Sequence, residues 1–500
     1  MIGTRVNRHR QKAQIWLRAK ANIYEIYTIY TKSTNTFLSR NKRRSTLVGT
    51  RLLVAVAVIL IIVAGVGGYY YGSLTAPGRE VTTTLTSTTT LTLTAPYTTT
   101  VTVSAPTTMI TTVTSTATLT PQPLKGQILK VGLVAPLTGP MASFGEQGKR
   151  GMEMAIDEIN SAGGILGAQV QMIVENFAGD PKVAVAATEK VITVDKVQVV
   201  RVAFHSSSIL AAMEVTEKYG IPLVTIGGIA DEITTKGYKY IFRVCGNTTQ
   251  AASSVLEFVA KYFKPKTVAI LHEHSLMGQS YVNNEKEIIR TLYPEWRILT
   301  IEPYDAASLD FKPLLEKVRA MNPDLLIIHP YLTDLVLMLK QMDEIGYRPN
   351  MTIVGGVPNL SLIEMLGDVG HYRVLGSEFW CDRAYNPSDM RAIALKFWNR
   401  YGTAFDFQAS EGYLGMYIIK KAIEECGSLD PKAIRDALAK VDFEVPYFGH
   451  VKFLPNGQLI YPTQVLQIQP ANPDEPWNAK GWTYHTVYPP EFATAEVKTP

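Results

Sequence analysis

The sequence of 500 residues predicts an α/β fold made of two doubly wound parallel-sheet lobes, preceded by one transmembrane helix and a threonine-rich disordered stalk. Three observations support this prediction: an uncharged apolar run near the N-terminus, a threonine-dominated tract after it, and short apolar runs that alternate with amphipathic stretches beyond Gly126. Such alternation is typical of βαβ units, whose parallel strands are covered by helices. The predicted boundaries are a basic tail over 1–51, a transmembrane helix over 52–72, a stalk over 73–125, a globular part over 126–485 and a C-terminal tail over 486–500.

The positive charge of the chain is confined to its N-terminal tail. Twelve Lys and Arg residues and one acid precede residue 52, whereas 35 Lys and Arg residues and 42 acids follow residue 125, a net charge of −7. Phosphate backbones require clustered positive charge, so we expect no nucleic-acid partner for the globular part. For the tail, two interpretations stay open: it binds anionic lipid, or the start codon has been assigned too early.

The apolar run has the length of a membrane span. Leu52–Gly68, extended by Tyr69–Tyr71, covers about 30 Å of hydrocarbon at about 1.5 Å per residue. A signal peptide has an apolar region of roughly 7–15 residues, so an uncleaved anchor is favoured over a cleaved leader or a core helix. Basic residues between Arg40 and Arg51 precede the run, and the positive-inside rule then puts the N-terminus in the cytoplasm. The sequence predicts a single-pass protein of the cell membrane, in contact with the lipid bilayer, whose globular part is extracellular.

The next segment has the composition of a stalk. Positions 81–120 contain 21 Thr and 3 Ser, which is typical of mucin-like, O-glycosylated tracts next to a membrane. An extended chain of this length reaches on the order of 100 Å at about 3 Å per residue. Alternation of Thr with Val or Leu is the argument for a strand instead, and we favour the stalk.

The sequence of the globular part predicts alternating strands and helices. The predicted strands are Ile128–Ala135, Val170–Glu175, Val199–Ala203, Leu223–Ile226, Thr267–Leu271, Leu325–His329 and Met351–Val354. Helices are predicted over Gly148–Asn160 and Pro181–Val194, because apolar residues recur there at helical spacing, and Asp180 before a proline is a typical helix cap. About 365 residues exceed what one hydrophobic core holds, so two lobes are expected.

Motifs for catalysis and cofactor binding are missing from this sequence. The loop after the first predicted strand has no G-x-G-x-x-G, and neither a phosphate-binding loop nor a G-x-S-x-G elbow occurs. His272 and His274 around Glu273 would share one side of a strand, but we favour an ordinary loop edge over a metal site. His205 beside Ser206 lacks an identifiable third partner for nucleophilic catalysis. We therefore predict no enzyme, no cofactor and no metal.

Ser206, Ser207 and Ser208 suit ligand binding better. They follow the strand Val199–Ala203 and open a helix predicted from about Ile209. Hydroxyls, free amides and the positive end of a helix at the carboxyl edge of a parallel sheet can hold a carboxylate. Helix capping without any ligand is the alternative.

The order and spacing of several motifs resemble the leucine/isoleucine/valine-binding family, which serves ABC transporters as substrate-binding proteins of the type I periplasmic binding fold. The resemblance covers about 126–470 and rests on Val131–Gly139 (VGLVAPLTG), Phe144–Gly145, Ala155–Gly167 (AIDEINSAGGILG), Gly179–Pro181, Ser206–Ser208 and Tyr219–Pro222.

This resemblance implies a monomeric clamp with a three-segment hinge, which closes on a small-molecule solute and presents it to the permease subunits. The crossings between lobes are expected near Gly246, near 380–382 and near 447–450. Lobe 1 would span about 126–246 and 382–447, and lobe 2 about 247–380 and 448–485. A sensory receptor ectodomain with the same clamp is the main alternative, and an adhesion or surface-coat protein is a weaker one.

The resemblance also implies a ligand site. Phe144 matches an aromatic cover of the ligand, Ser206 with Ser208 matches the carboxylate contact, and Tyr331 matches a tyrosine of lobe 2. Gly227 and Gly228 match small residues whose backbone approaches the ligand. The expected ligand-binding set is Phe144, Ser206, Ser207, Ser208, Gly227, Gly228, Ile229, Met277, Tyr331 and Gly355.

Three positions depart from the branched-chain amino-acid binders. Ile229 stands in place of a Thr hydroxyl, Met277 in place of an aromatic, and Gly355 in place of the Glu that pairs with the ligand's ammonium. A buried ammonium without an acidic partner is unfavourable by several kcal/mol. The solute is left open between an amino-acid-like compound, an amide or urea-like compound and a small carboxylate. Asp305, Glu378 or Asp334 are candidates for the missing acid.

The three cysteines are too scattered for a metal site or a disulfide scaffold. Cys245 and Cys381 both fall at expected lobe crossings, and a disulfide outside the membrane is chemically permitted. Their pairing is a hypothesis, with two separate buried thiols as the alternative.

Overall fold

The computed structural model describes residues 100–104, 110–114, 123–305, 308–355, 360–378, 387–445, 448–460, 463–471 and 476–498. The predicted tail over 1–51 and transmembrane helix over 52–72 lie outside these residues and stay predictions, as does the predicted crossing at 380–382. Among the described helices, none has the length and apolar character needed to cross a bilayer.

The chain divides into two compact units, 1–118 and 119–500. In the first unit, Thr100–Ser104 (β1) and Ile110–Thr114 (β2) pair as antiparallel strands. A disordered stalk was predicted over these residues, so the structure differs from the prediction here. Threonine alternating with β-branched and apolar residues is the pattern that favours a strand, the alternative considered above.

The second unit begins with strands and helices that alternate, except that two short strands, β6 and β7, follow each other directly. Its first half consists of β3 (Ile128–Ala135), α1 (Ala142–Ser161), β4 (Gln169–Asn176), α2 (Pro181–Thr193), β5 (Val199–Phe204), α3 (Ser206–Tyr219), β6 (Leu223–Val224), β7 (Ile226–Gly227), α4 (Glu232–Thr235), β8 (Ile241–Phe242), α5 (Thr248–Tyr262), β9 (Thr267–Glu273), α6 (Leu276–Leu292), β10 (Arg297–Tyr304), α7 (Lys312–Met321), β11 (Leu325–His329) and α8 (Leu332–Glu344). Asp180 caps α2 as predicted, since its carboxylate accepts a hydrogen bond from the amide of Lys182 at 2.7 Å.

The second half of this unit ends in antiparallel strands. It consists of β12 (Met351–Val354), α9 (Leu360–Leu366), β13 (Val374–Glu378), α10 (Pro387–Tyr401), α11 (Phe407–Cys426), α12 (Pro431–Leu438), β14 (Asp442–Val445), β15 (Gly449–Lys452), β16 (Gln464–Pro470) and β17 (Trp482–Tyr488), with 3-10 turns over Gly367–Gly370 and Pro490–Phe492. Strand β17 continues past residue 485, where the C-terminal tail was predicted to begin.

Two large sheets organise the second unit. The first sheet has the order β4-β3-β5-β6-β8, with β7 beside β5, and all its pairs are parallel. The second has the order β10-β9-β11-β12-β13-β16-β17 and is parallel only as far as β13. The predicted parallel sheets are therefore confirmed, and the second sheet carries two further strands at one edge, where β16 pairs antiparallel with both β13 and β17.

Both faces of the first sheet are buried. In β5, Val199 and Ala203 belong to one hydrophobic cluster, whereas Val200 and Val202 belong to another. Side chains alternate between the faces of a strand, so helices cover each face, as a doubly wound fold requires.

Helix α11 packs directly on α1. A Cβ on Gly151 would lie 1.9 Å from the carbonyl oxygen of Ala409, and one on Gly412 would lie 2.3 Å from the carbonyl oxygen of Gly148. Only glycine permits backbones to approach so closely. This contact holds the first turns of α11 behind the carboxyl edge of the first sheet.

Candidate functional site

The serine segment lies at the carboxyl edge of the first sheet. Strand β5 ends at Phe204, whose φ of 64° is in the left-handed region. The amide of His205 then donates to the carbonyl oxygen of Ala203 at 2.9 Å, so the chain reverses sharply before helix α3. A phenylalanine in this conformation is strained, and such strain often occurs where a fold positions a functional side chain.

The three serines form the first turn of α3, which begins three residues earlier than predicted. Ser206 and Ser208 are buried and Ser207 is half-buried. The N-cap residue is His205 and no side chain caps the helix, so the alternative of helix capping by the serine hydroxyls is not found. The amides of a first helical turn have no partner within the helix, and the helix dipole makes this end positive. The segment therefore has the chemistry of a carboxylate site.

Hydrogen bonds hold two of these hydroxyls in place. The Oγ atom of Ser208 lies 2.8 Å from Nδ1 of His205, and Oγ of Ser206 accepts a hydrogen bond from the amide of Ala230 at 3.4 Å. Burial lowers the pKa of His205 to about 4, so its ring is neutral at neutral pH. The serine segment therefore offers hydrogen-bond donors to a solute, while the side chain of His205 adds no positive charge.

Aromatic rings stack behind the serines. Phe144, in the first turn of α1, is buried, and its ring stacks on that of Phe204 with centroids 4.1 Å apart and planes at 6°. Phe407 adds a tilted contact at 6.1 Å. Phe144 was predicted as the aromatic cover, but the structure places Phe204 on top of it. The signal for Phe204 was its position as the last apolar residue before the serines, which sequence reasoning did not use.

The glycine pair forms a second loop at the same edge. Gly227 and Gly228 have φ values of 78° and 77°, and a Cβ on Gly228 would lie 2.3 Å from Cδ1 of Ile209. The amide of Gly227 donates to the carboxylate of Glu411. Half-buried Ile229 anchors the loop to α5, because its carbonyl accepts from the amide of Thr248 at 2.9 Å.

A buried arginine braces this loop from behind. The guanidinium of Arg201 donates to the carbonyl oxygens of Gly412, Glu411 and Thr225 at 2.6, 2.8 and 3.0 Å. Burial lowers the pKa of Arg201 and raises that of Glu411, while their attraction opposes both shifts. The pair fixes the backbone of Gly227 relative to α11.

Tyr331 brings the second sheet into contact with the first. It follows β11 as the N-cap residue of α8, and its ring lies 5.9 Å from that of Phe204 and 6.3 Å from that of His205. Burial raises the pKa of its hydroxyl, which stays protonated and able to donate. The carboxyl edges of β5 and β11 thus meet through these aromatic side chains.

Two further predicted residues lie on the second sheet's side. Met277 is buried in the first turn of α6. Gly355 follows β12, and a Cβ on it would lie 2.3 Å from Nδ1 of His329. The ring of His329 therefore occupies the space that any side chain at position 355 would need.

The candidates for a missing acid have different surroundings. Asp305 is exposed, with 83% of its side chain accessible, and the side chain of Glu378 lies outside the described residues. Asp334 is buried and accepts hydrogen bonds from the hydroxyl of Tyr304 at 2.8 Å and from the amide of Tyr331 at 3.1 Å. His272 is buried and His274 exposed, because β9 ends at Glu273, so the two histidines do not share a side of the strand as expected.

A pocket of about 290 Å³ lies between elements of the two sheets. It is lined by Ser143, Gln147, Arg150, Asp406, Leu360 and Ser361, among others. Asp406 caps α11 by accepting from the amide of Ala409 at 3.0 Å, and burial raises its pKa to about 7. Polar and charged side chains thus line much of this pocket.

The sequence and the fold match known proteins. A family described as "Periplasmic binding protein" matches residues 128–474. The "Leucine-, isoleucine-, valine-, threonine-, and alanine-binding protein" of Pseudomonas aeruginosa is 30% identical over 332 residues, 66% of this chain and 87% of that protein. The "Leu/Ile/Val-binding protein BraC3" of Rhizobium johnstonii is 32% identical over 349 residues, 69% of this chain and 92% of that protein.

Solved structures share the fold. A leucine-, isoleucine-, valine-, threonine- and alanine-binding protein from Brucella ovis in a closed conformation has a TM-score of 0.66 at 18% identity, covering 75% of this chain and 99% of that one. A solute-binding protein of an ABC transporter from Rhodopseudomonas palustris BisB5, in complex with 3,4-dihydroxybenzoic acid, has a TM-score of 0.63 at 22% identity, with coverage of 75% and 99%. The predicted family is confirmed by the match to more than half of the chain: this protein belongs to the periplasmic binding protein family.

Proposed function

We propose that this protein is the extracytoplasmic, membrane-anchored solute receptor of an ABC importer, and that it captures a small carboxylate-bearing solute by closure of two lobes without altering it. The contact of Tyr331 with Phe204 and His205 carries the proposal, because it joins the edges of two sheets beside the serine segment. A solute held by both edges makes more contacts in the closed form than in the open form, and this difference in binding free energy stabilises the closed form.

The carboxylate is the chemistry common to the related proteins. The names of the relatives from Pseudomonas and Rhizobium specify amino acids, and one structural neighbour binds a dihydroxybenzoic acid. All of these compounds carry a carboxylate. The first turn of α3, with its amides and the hydroxyls of Ser206 and Ser208, supplies donors for such a group.

Affinity measurements on alanine variants test the site. A thermal-shift screen of small carboxylates and amides first finds a solute, since a ligand at a hundred times its Kd stabilises by about 2.7 kcal/mol. Ser206→Ala and Tyr331→Ala are then expected to weaken its binding by about tenfold or more, equivalent to about 1.4 kcal/mol. Ser253→Ala, which changes a half-buried residue of α5, and Tyr219→Ala, which changes an exposed residue at the opposite end of α3 from Ser206, serve as controls. Unchanged affinity in the Ser206 and Tyr331 variants would remove the site assignment.

Membrane anchoring through residues 52–72 is tested on the full chain. Arginine at a helix centre opposes insertion by about 2.5–3.5 kcal/mol on the translocon scale. Replacing Ile61 and Ile62 by Arg should therefore move the protein from the carbonate-resistant membrane fraction to the soluble fraction. Arginines at Ile23 and Ile26 in the basic tail are the matched control. Equal membrane retention of both double variants would contradict the anchor.

A further inference from the structure

Glu273 is a buried acid without an ionic partner at the carboxyl edge of the second sheet. It is the last residue of β9 and only 8% exposed, and its Oε2 atom has no hydrogen-bond partner. No Lys or Arg among the described residues forms an ion pair with it. A buried carboxylate left in this state is unfavourable, and a cation placed beside it would offset the cost.

The surroundings of Glu273 place it on the side that meets the first sheet. Strands β9 and β11 are parallel neighbours in which His272 lies opposite His329, so Glu273 and Tyr331 follow this pair by one and two residues. Tyr331 in turn contacts Phe204 and His205 of the opposite edge. Glu273 is therefore one residue away from the junction where a solute would be held.

The charges around this carboxylate are mostly negative. Asp334 and the exposed Asp305 act on it from α8 and from the end of β10, and they oppose its ionisation together with burial, whereas His274 favours it. Burial is the main cause of the raised pKa of Glu273. Across the junction, the ring of His205 is neutral at neutral pH. The edge of the second sheet thus has more carboxyl groups than positive charges where it faces the first sheet.

The other buried acids of this edge are already engaged. Glu285 is 3.0 Å from Nε2 of His329, and Tyr281 stacks on that ring with centroids 4.1 Å apart. Asp334 binds the Tyr304 hydroxyl and caps α8. Gly355 has no room for an acid, because His329 fills its side-chain space. Glu273, in contrast, has a buried oxygen without a hydrogen-bond partner, and it neither pairs with a histidine nor caps a helix.

We propose that Glu273 receives a cationic group of the solute, while the first turn of α3 receives its carboxylate. Glu273 is then the residue that makes the protein prefer zwitterions to simple carboxylates of the same shape. The inference rests on the proposed function. It puts the cation contact at the end of β9, instead of at position 355, where branched-chain amino-acid binders have a Glu, or at the candidates Asp305, Glu378 and Asp334.

Matched ligand pairs test this inference on the full chain. The probes are leucine with 4-methylpentanoate, phenylalanine with 3-phenylpropanoate and alanine with propanoate, each pair differing in the ammonium alone. Calorimetry should show that the zwitterion of at least one pair binds about tenfold tighter than its carboxylate or more, because hydrogen bonds to charged groups are the stronger ones. Glu273→Gln should abolish this preference and leave carboxylate binding unchanged. Glu302→Gln is the matched control. Glu302 lies on β10 of the same sheet and is paired with Lys317, so this variant should keep the preference for the zwitterion.

The outcomes separate this inference from the proposed function. Carboxylates that bind as well as zwitterions, or a preference that survives Glu273→Gln, would overturn the role of Glu273 and leave the receptor standing. Failure of every probe to bind would count against both. Circular dichroism checks the fold of the variant, and if Glu273→Gln does not fold, the preference of the unaltered chain within each pair decides.

Discussion

Replacing Gly355 with alanine should destabilise the fold through His329. The new methyl group would lie 2.3 Å from Nδ1 of that ring. The ring has little freedom to move, because it stacks on Tyr281 with planes at 9° and bonds to Glu285 at 3.0 Å, both partners being buried. Crowding in a packed core costs about 1–3 kcal/mol. A complete break from Glu285 would leave a buried carboxylate unpaired, at about 3–5 kcal/mol.

The opposing effect is smaller. Gly355 is not among the residues with positive φ, so alanine would gain about 0.4–1 kcal/mol from a less flexible unfolded chain. With the middle value of each range, the net loss is about 1 kcal/mol for crowding alone and about 3 kcal/mol if the bond to Glu285 breaks. Urea unfolding followed by far-UV circular dichroism measures it as a lower midpoint at constant slope.

A double variant identifies the cause. With His329→Ala the ring is absent, so adding Gly355→Ala should no longer destabilise, and the two changes should be strongly non-additive. If Gly355→Ala leaves the midpoint unchanged, or costs as much without the His329 ring as with it, the clash is not the reason for glycine at this position.

Three further variants test the buried groups around the site. Asp406→Asn should make the free energy of unfolding less dependent on pH. With its pKa raised from 3.8 to about 7, Asp406 keeps a proton that the unfolded chain releases, so its contribution to stability falls as pH rises through this window, by up to about 1.4 kcal/mol per pH unit. Equal pH slopes for variant and parent would contradict this. Arg201→Met should cost about 3–5 kcal/mol in urea unfolding, because buried acceptors lose their donor and Glu411 its charge partner, and an unchanged midpoint would count against it. Phe144→Ala should cost about 3–5 kcal/mol through the cavity it leaves, and a loss under about 1 kcal/mol would show that Phe204 collapses into the space.

Strands with continuous apolar runs were predictable to the residue. Ile128–Ala135, Leu325–His329 and Met351–Val354 have the bounds that the sequence predicts, since both faces of these strands are buried. Strand β10 was missed, because its half-exposed residues break the apolar run. Helix α1 begins six residues before its predicted start, in a glycine-rich stretch whose packing against α11 outweighs low helix propensity.

The site was predictable only where a motif lies within one loop. Ser206–Ser208 and the glycine pair lie at a sheet edge, as their spacing after strands indicates. Glu273 was not predicted, because strand β9 runs two residues past its predicted end and so puts Glu273 at the sheet edge. Its neighbour there, Tyr331, lies 58 positions further along the chain. No local pattern reports such proximity. The occupied space beside Gly355 likewise follows from the ring of His329 on a neighbouring strand.

The backbone at Phe204 sets two requirements that no single amino acid satisfies. Glycine would relax the left-handed turn, whereas only a bulky ring can join Phe144 to Tyr331. Strain of this kind is unfavourable by about 1–3 kcal/mol. Selection for heat resistance alone would therefore drift towards glycine or asparagine at this residue. Thermostable descendants obtained in that way would lose the aromatic bridge, so a library screened for both traits should retain phenylalanine.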